Sequence, residues 1–385
     1  MRRVQPAEEI YLDHVSSTPV HPEVLKTLGE LLPIHYANSD AIHSAGTRIN
    51  QLIQRSRSVI AAAFGVSAEE IVFTSGATEA NNAIIKGIAF ANAHKGKHII
   101  TSSVEHASVY GSFEFLENEF GFEVTYLPVD QDGRILPEVL KNALRPDTIL
   151  VSIMYVNNEI GTIMPIHDLA KIVKENSRAY FHADCVQALG KIPVDLENVD
   201  AASFSAHKIN GVKGSGVMLK RANVPFLPLI SGGQQEMGMR GGTPNAIVNI
   251  LFAKTLRLAL EGEAEHIHHV RALKQRLIDR LSTLESIVFN SPSEGCSDFI
   301  LNISCLCVPS EVMMNWLNQH SIFVSAQSTC SSKTKQPSHT LSAMHLNQKR
   351  LDGSLRIGLG YTNTTAEIDR FLDVLEEGIT TYGKL

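Results

Sequence analysis

Ser203-Phe204-Ser205-Ala206-His207-Lys208-Ile209-Asn210-Gly211 is the stretch on which the fold turns. A strand of small residues, 201–205, delivers a lysine into a glycine-rich turn, Gly211-Val212-Lys213-Gly214-Ser215-Gly216. Lysine is ordinarily solvated, so one at the end of a buried strand needs a reason. One reason is a Schiff base with an aldehyde cofactor. The other reading is a surface lysine in a hairpin turn.

Upstream of this stretch, strand and helix signals alternate. Ile71-Val72-Phe73-Thr74 reads as a strand running through Ser75-Gly76-Ala77-Thr78 into a helix over 79–93. Strand-like runs recur at 98–102, 123–129, 148–156, 180–183, 201–205 and 216–220, with helical patterns at 136–144 and 166–174. Such alternation predicts a mostly parallel sheet covered on both faces, with ligands at the carboxyl ends of its strands. Ile49, Leu52, Ile53, Ser56, Val59, Ile60 and Ala63 form the expected buried stripe of an earlier helix. A long helical pattern fills 244–281, and a second alternating unit begins with a strand over 299–308 and ends in a helix over 365–382. The domain change is expected near residue 260. It gives a large domain, 14–260, and a smaller α+β domain, 261–385, against which the N-terminal arm 1–13 packs.

Composition narrows the class. The 385 residues are 44% hydrophobic and 19% charged, an ordinary globular mix. A net charge of -6 offers no basic surplus for nucleic acid or an acidic membrane. Met1-Arg2-Arg3 leads into polar residues, and no apolar run is long enough to span a bilayer. Five cysteines make no disulfide framework and fit a reducing cytoplasm.

Two further motifs carry chemistry. In Phe181-His182-Ala183-Asp184-Cys185-Val186-Gln187, an aspartate closes a buried strand. Such a carboxylate is costly unless paired, and a pyridinium nitrogen is one partner. Gln187, three residues on, is placed to hydrogen-bond a ring hydroxyl. The alternative is an aspartate capping the next helix. In Thr74-Ser75-Gly76-Ala77-Thr78-Glu79, a glycine turn before a helix offers backbone N–H groups and a hydroxyl to a phosphate. Turns of this kind are common in other settings.

Together these motifs resemble one family. Further carriers are Val104-Glu105-His106, Val156-Asn157-Asn158-Glu159-Ile160-Gly161, the 232–243 loop and Ser328-Thr329-Cys330-Ser331-Ser332. The chain is similar to cysteine desulfurases of the NifS/IscS type, in the class V aminotransferase group, from Tyr11 to about residue 380. The resemblance implies the pyridoxal 5'-phosphate-dependent fold type I, a homodimer and L-cysteine as sulfur donor. Lys208 matches the Schiff-base lysine and His106 the histidine that stacks on the cofactor ring and handles a proton near the substrate thiol. Asp184 and Gln187 match the partners of the ring nitrogen and ring hydroxyl. Ala77, Thr78, Ser205 and His207 match the phosphate cradle, and Thr243 the threonine lent by the other subunit. Asn158 matches an asparagine near cofactor and substrate, Asn38 a substrate-side asparagine, and Arg356 the fork that clamps the substrate carboxylate. Cys330 matches the thiol that becomes a persulfide and passes sulfur to an acceptor protein, for iron–sulfur cluster assembly or tRNA thiolation. Rival functions are a selenocysteine lyase and a cofactor-bound module without turnover.

The chain departs from the family at His14 and Val15, where an aromatic or asparagine and a small residue are usual. It departs also at Ala37 and Ser39 around Asn38, and at Gln327 and Thr329 beside Cys330. Cys185, Cys305 and Cys307 are expected as core filling, and His266, His268 and His269 as solvated. Lys333 and Lys335 could lower the pKa of Cys330, or be solvated loop charges or a docking patch.

Overall fold

The computed structural model describes residues 9–326 and 338–383. Its strands, in chain order, are β1 (Ile10–Tyr11), β2 (Ile71–Thr74), β3 (His98–Ser102), β4 (Glu123–Leu127), β5 (Thr148–Met154), β6 (Tyr180–Asp184), β7 (Ala201–Ser205), β8 (Gly216–Lys220), β9 (Ile287–Phe289), β10 (Ile300–Cys305), β11 (Ile322–Phe323) and β12 (Ser354–Gly358). Seven of them form one sheet in the order β2-β8-β7-β6-β5-β3-β4. Only β8 runs against its neighbours. β2 and β7 flank it and therefore point the same way, so six strands end on one edge. Strands β5, β7 and β8 are buried throughout, and β6 is buried beyond its first residue, Tyr180. That burial on both faces is what helical cover of a largely parallel sheet requires.

The second sheet is antiparallel, ordered β12-β10-β9. Helices Glu263–Leu281, Ser310–Gln319 and Thr365–Tyr382 accompany it. The 244–281 pattern resolves into two helices, Ala246–Glu261 and Glu263–Leu281, which meet at Gly262. The N-terminal arm enters as β1, parallel to β11, with Ile10 N–H donating to Ser321 O at 2.9 Å. One apolar core runs from Ile60 and Phe204 through Leu277 and Phe371.

The stripe expected on helix Ser44–Ala63 is rotated. Ile49, Ile53, Ser56 and Ile60 are buried, but Val59 is 41% exposed, and Arg57 takes a place on the inner face. Arg57 is tolerated there because Glu236 meets it bidentately, at 2.7 and 2.8 Å. Glu236 Oε2 also accepts from Phe73 N–H at 2.8 Å. His266 and His269 are likewise not the solvated pair expected. His266 stacks on Tyr361 at 3.9 Å, and His269 Nε2 lies 2.8 Å from Asn363 O. Their spacing fits docking of one helix onto the 360–363 turn, and only His268 is exposed. Among the described residues no helix is long and apolar enough to cross a membrane.

Candidate active site

A cavity of about 380 Å³ opens where the strands of the large sheet end. Several of these strands deliver a group to it. Asp184 closes β6, Ser205 closes β7, and the short turn Ala206–Lys208 carries His207 and Lys208 directly from β7. Thr74 closes β2, and Ser75 and Gly76 lead into helix Ala77–Asn92, whose Ala77 and Thr78 line the cavity. No side chain caps that helix. Its first N–H groups therefore remain available to an anion. The cradle is tight: a Cβ on Gly216 would stand 2.5 Å from Gly76 Cα.

Asp184 is fixed from two sides. Its Oδ1 accepts from Val186 N–H at 3.0 Å and its Oδ2 from Asn81 Nδ2 at 2.8 Å. Asn81 Nδ2 also reaches Ser108 Oγ at 2.9 Å. His106 caps helix Ala107–Phe120, its Nδ1 accepting from Ser108 N–H at 3.1 Å. That bond leaves the ring proton on Nε2. Burial lowers the pKa of His106, against the raising influence of Asp184, so the ring is neutral near pH 7. Burial, with nearby Lys208, Lys213 and Lys191, brings His207 down to about 4.

Lys208 Nζ donates to the carbonyls of Val15 (2.7 Å) and Ser16 (2.8 Å). The segment 13–18 thus folds over the lysine. His14 of that segment is buried, edge-on to Tyr11 with ring centroids 5.0 Å apart. Burial lowers it to about 4. As a neutral ring it stands where an aromatic residue or an asparagine is usual in the resembling family. Gln187 Nε2 donates to Val15 O at 3.1 Å, and its Oε1 accepts from Lys191 Nζ at 2.6 Å.

On the opposite wall, Arg356 lies in β12 and is 2% exposed. Nη1 donates to Asn158 O at 3.0 Å, and Nη2 donates to Asp13 Oδ1 at 3.0 Å and Ser16 Oγ at 2.7 Å. Ser325 is hydrogen-bonded through its main chain to Arg356, whose N–H donates to Ser325 O at 2.6 Å. Ser338 Oγ donates to Glu159 Oε2 at 2.5 Å, one residue from Asn158. The stretch from Ser325 to Ser338 therefore begins and ends on residues adjoining the cavity.

Ten expected site residues meet around this one cavity: Ala77, Thr78, His106, Asn158, Asp184, Gln187, Ser205, His207, Lys208 and Arg356. Thr243 does not. It lines a neighbouring cavity of about 190 Å³ that shares Ser75 and Gly214 with the first. Asn38 lines neither; it is exposed, and its Oδ1 accepts from Asp40 N–H at 2.9 Å. Cys330, with Gln327, Thr329, Lys333 and Lys335, lies outside the described residues. Cys185 is wholly buried, with its thiol pKa driven up by burial and then by Asp184. Cys305 closes β10, and its Sγ is 3.7 Å from that of Cys307, which is half-buried beyond the strand.

Asn81, Lys191, Asp13 and Ser16 were not singled out from sequence. For Asn81 a signal exists. It shares a helical stripe with Ile84, Ile85 and Ile88, all buried, and an asparagine on such a stripe needs a polar partner.

The sequence matches the aminotransferase class-V family over residues 10–371. It is 42% identical over 371 residues to "Cysteine desulfurase IscS" of Dictyoglomus turgidum, covering 96% of this chain and 94% of the relative. It is 41% identical to the protein of that name from Methanosarcina thermophila, covering 96% of this chain and 91% of the relative. A solved "NIFS-LIKE PROTEIN" superposes with a TM-score of 0.92 at 36% identity, covering 97% of this chain and all of the other. The chain therefore belongs to the class-V aminotransferases. Within them it is a member of the cysteine desulfurases, the enzymes that remove sulfur from cysteine. Membership implies pyridoxal 5'-phosphate, cysteine as substrate and an acceptor for the sulfur.

Proposed function

We propose that this enzyme converts L-cysteine to L-alanine and holds the sulfur as a persulfide on Cys330 for transfer to an acceptor protein. The observation that carries this reading is the single cavity where Lys208, Asp184, His106 and Arg356 converge. The residues fit pyridoxal 5'-phosphate. The uncapped helix end at Ala77 and Thr78, with Ser205 and His207, suits the phosphate. Asp184, held as an acceptor by Asn81 and Val186, suits a protonated ring nitrogen. Gln187 suits the ring oxygen and Lys208 the aldehyde. When bound, the group supplies an electron sink for the substrate Cα.

The protein's own groups do the rest. Arg356 holds the substrate carboxylate, its guanidinium kept in place by Asp13, Ser16 and Asn158. Lys208 takes and returns the Cα proton. His106, neutral with its proton on Nε2, delivers or accepts a proton near the substrate thiol. The Cys330 thiolate attacks the substrate sulfur; a sulfur–sulfur bond forms as the carbon–sulfur bond breaks, and its electrons stay with the carbon that becomes the alanine methyl. We further propose a homodimer in which Thr243 serves the phosphate of the neighbouring subunit. A cytoplasmic setting is supported by the free thiols of Cys185, Cys296, Cys305 and Cys307.

The test is a brief incubation with L-cysteine followed by peptide mass analysis. One added sulfur is expected on the peptide carrying Cys330, with alanine formed in parallel. Cys330→Ser is expected to keep the cofactor and release almost no sulfide. Sulfur on Cys185, Cys305 or Cys307, or full activity of Cys330→Ser, would overturn the proposal. Faster turnover of selenocysteine without any persulfide would favour a lyase instead.

A further inference from the structure

Gln187 is held at both ends of its amide by groups of fixed polarity. The Lys191 ammonium can only donate, so the atom 2.6 Å from it is the amide oxygen. The Val15 carbonyl can only accept, so the atom 3.1 Å from it is the amide nitrogen. Reversing the amide would set donor against donor and acceptor against acceptor. Both Gln187 and Lys191 are buried, 4% and 5% exposed, so water cannot relieve that mismatch. Gln187 lines the cavity, and after its bond to Val15 O its Nε2 keeps a second N–H that can be offered to a ligand.

We propose that Lys191 is a positioning residue that locks the Gln187 amide so that it presents only N–H to the ring oxygen of pyridoxal 5'-phosphate, favouring the deprotonated form of that oxygen. This rests on the placement of Gln187 beside the ring oxygen argued above. An unlocked amide could turn its own oxygen inward and accept from a ring hydroxyl. The lock forbids that pairing. With the cofactor bound, a donor from Gln187 aimed at the ring oxygen would favour its deprotonated form, and the cofactor-loaded enzyme would then lose the proton near Lys208 at lower pH than it otherwise would.

The lock does not need a charge on Lys191. Burial, then the repulsion of Lys208 and Arg356, brings its pKa down to about 7. A neutral amine still carries N–H to give to Gln187 Oε1, and although its lone pair can also accept, the Val15 carbonyl cannot donate and so keeps the amide from reversing. The other titratable rings nearby, His14 and His207, are themselves held neutral near pH 7 by burial, and the Asp13 carboxylate is turned to Arg356.

The experiment is a pH titration of the visible absorption of the cofactor-loaded enzyme without substrate. The proteins are wild type, Gln187→Ala, Lys191→Met, Lys191→Arg and the double variant Gln187→Ala/Lys191→Met. Methionine keeps the length of the side chain and removes the donor without burying a new charge, while arginine restores a donor-only partner. Lys191→Met is expected to raise the midpoint by about one pH unit, the scale of one hydrogen bond to a charged group. Lys191→Arg is expected to stay near wild type. In the Gln187→Ala background, Lys191→Met is expected to add little.

The outcomes separate the two claims. If Gln187→Ala leaves the midpoint unmoved, Gln187 does not serve the ring oxygen. If Gln187→Ala moves it and Lys191→Met does not, the lock is wrong. An equal shift from Lys191→Met in both backgrounds means Lys191 acts by its charge alone, and also overturns the lock.

Discussion

Asn81 Nδ2 lies 2.8 Å from Asp184 Oδ2 and joins the helix that follows β2 to the end of β6. With Val186 N–H on the other oxygen at 3.0 Å, the carboxylate is aimed from two sides. Asn81→Ala removes one hold and leaves the carboxylate free to rotate. The expected result is a kcat at least about tenfold lower with the cofactor retained, since a hydrogen bond to a charged group is worth about 1.5–3 kcal/mol. Steady-state alanine formation checks it; an unchanged kcat removes Asn81 from the site.

Thr243 tests the dimer. Its own protomer places it beside Ser75 and Gly214, outside the main cavity. If it serves the partner's phosphate, mixing a Lys208→Ala protein with a Thr243→Ala protein restores some sites, because one mixed site carries both native residues. Activity of the mixture above the sum of its parts is the expected measurement. Simple additivity counts against action in trans.

Arg57 and Glu236 form a pair that is nearly dry, with side chains 3% and 4% exposed. Arg57→Met strands the Glu236 carboxylate, and the expected cost is about 3–5 kcal/mol in denaturant unfolding. Removing both charges, in Arg57→Met with Glu236→Leu, is expected to cost much less. A double variant as damaged as the single would show that the guanidinium's bond to Ile71 O, not the ion pair, carries the stability.

His182 gives the acid limb of stability. It is fully buried between β5 and β7, 2.8 Å from Ser152 Oγ and 3.0 Å from Ser203 Oγ. Burial lowers its pKa to about 3, against about 6.5 for an unfolded histidine. Between those values the unfolded chain binds a proton that the folded chain refuses. Stability present above about pH 6.5 is therefore lost as pH falls toward 3. His182→Asn is expected to flatten unfolding free energy against pH in that window by up to one proton. Equal slopes for the two proteins would disprove the assignment.

Most of the sheet was legible because its strands are short, mostly apolar runs, and β3, β6 and β7 end on Ser or Asp. The groups those strands deliver, Asp184, Ser205, His207 and Lys208, follow from the same runs. Residues acting through a neighbour were harder. Lys191 follows Gln187 by four positions, and only the fold shows its ammonium turned inward. Arg57 misled for a related reason. A charged residue on a helix is assigned outward by default, and its partner Glu236 is 179 positions away. His266 and His269 found the Tyr361 turn by tertiary docking that no local period encodes. Asn38 carried the family pattern only in part, and its side chain serves its own turn instead.

If Cys330 is the sulfur-taking thiol, as proposed, the two fixed posts at Ser325 and Ser338 make it a tethered reagent. Cys330 is five positions after the first post. A fully extended chain covers at most about 3.5 Å per residue, so chain length alone keeps the Cys330 Cα within about 17 Å of that of Ser325, which is bonded to Arg356. Its local concentration at the cavity is then set by leash length, on the order of millimolar, and not by how much enzyme is present. Loading becomes first order in enzyme at any dilution. On that reading delivery obeys the same radius: an acceptor must bring its own sulfur-taking atom within the length of the leash.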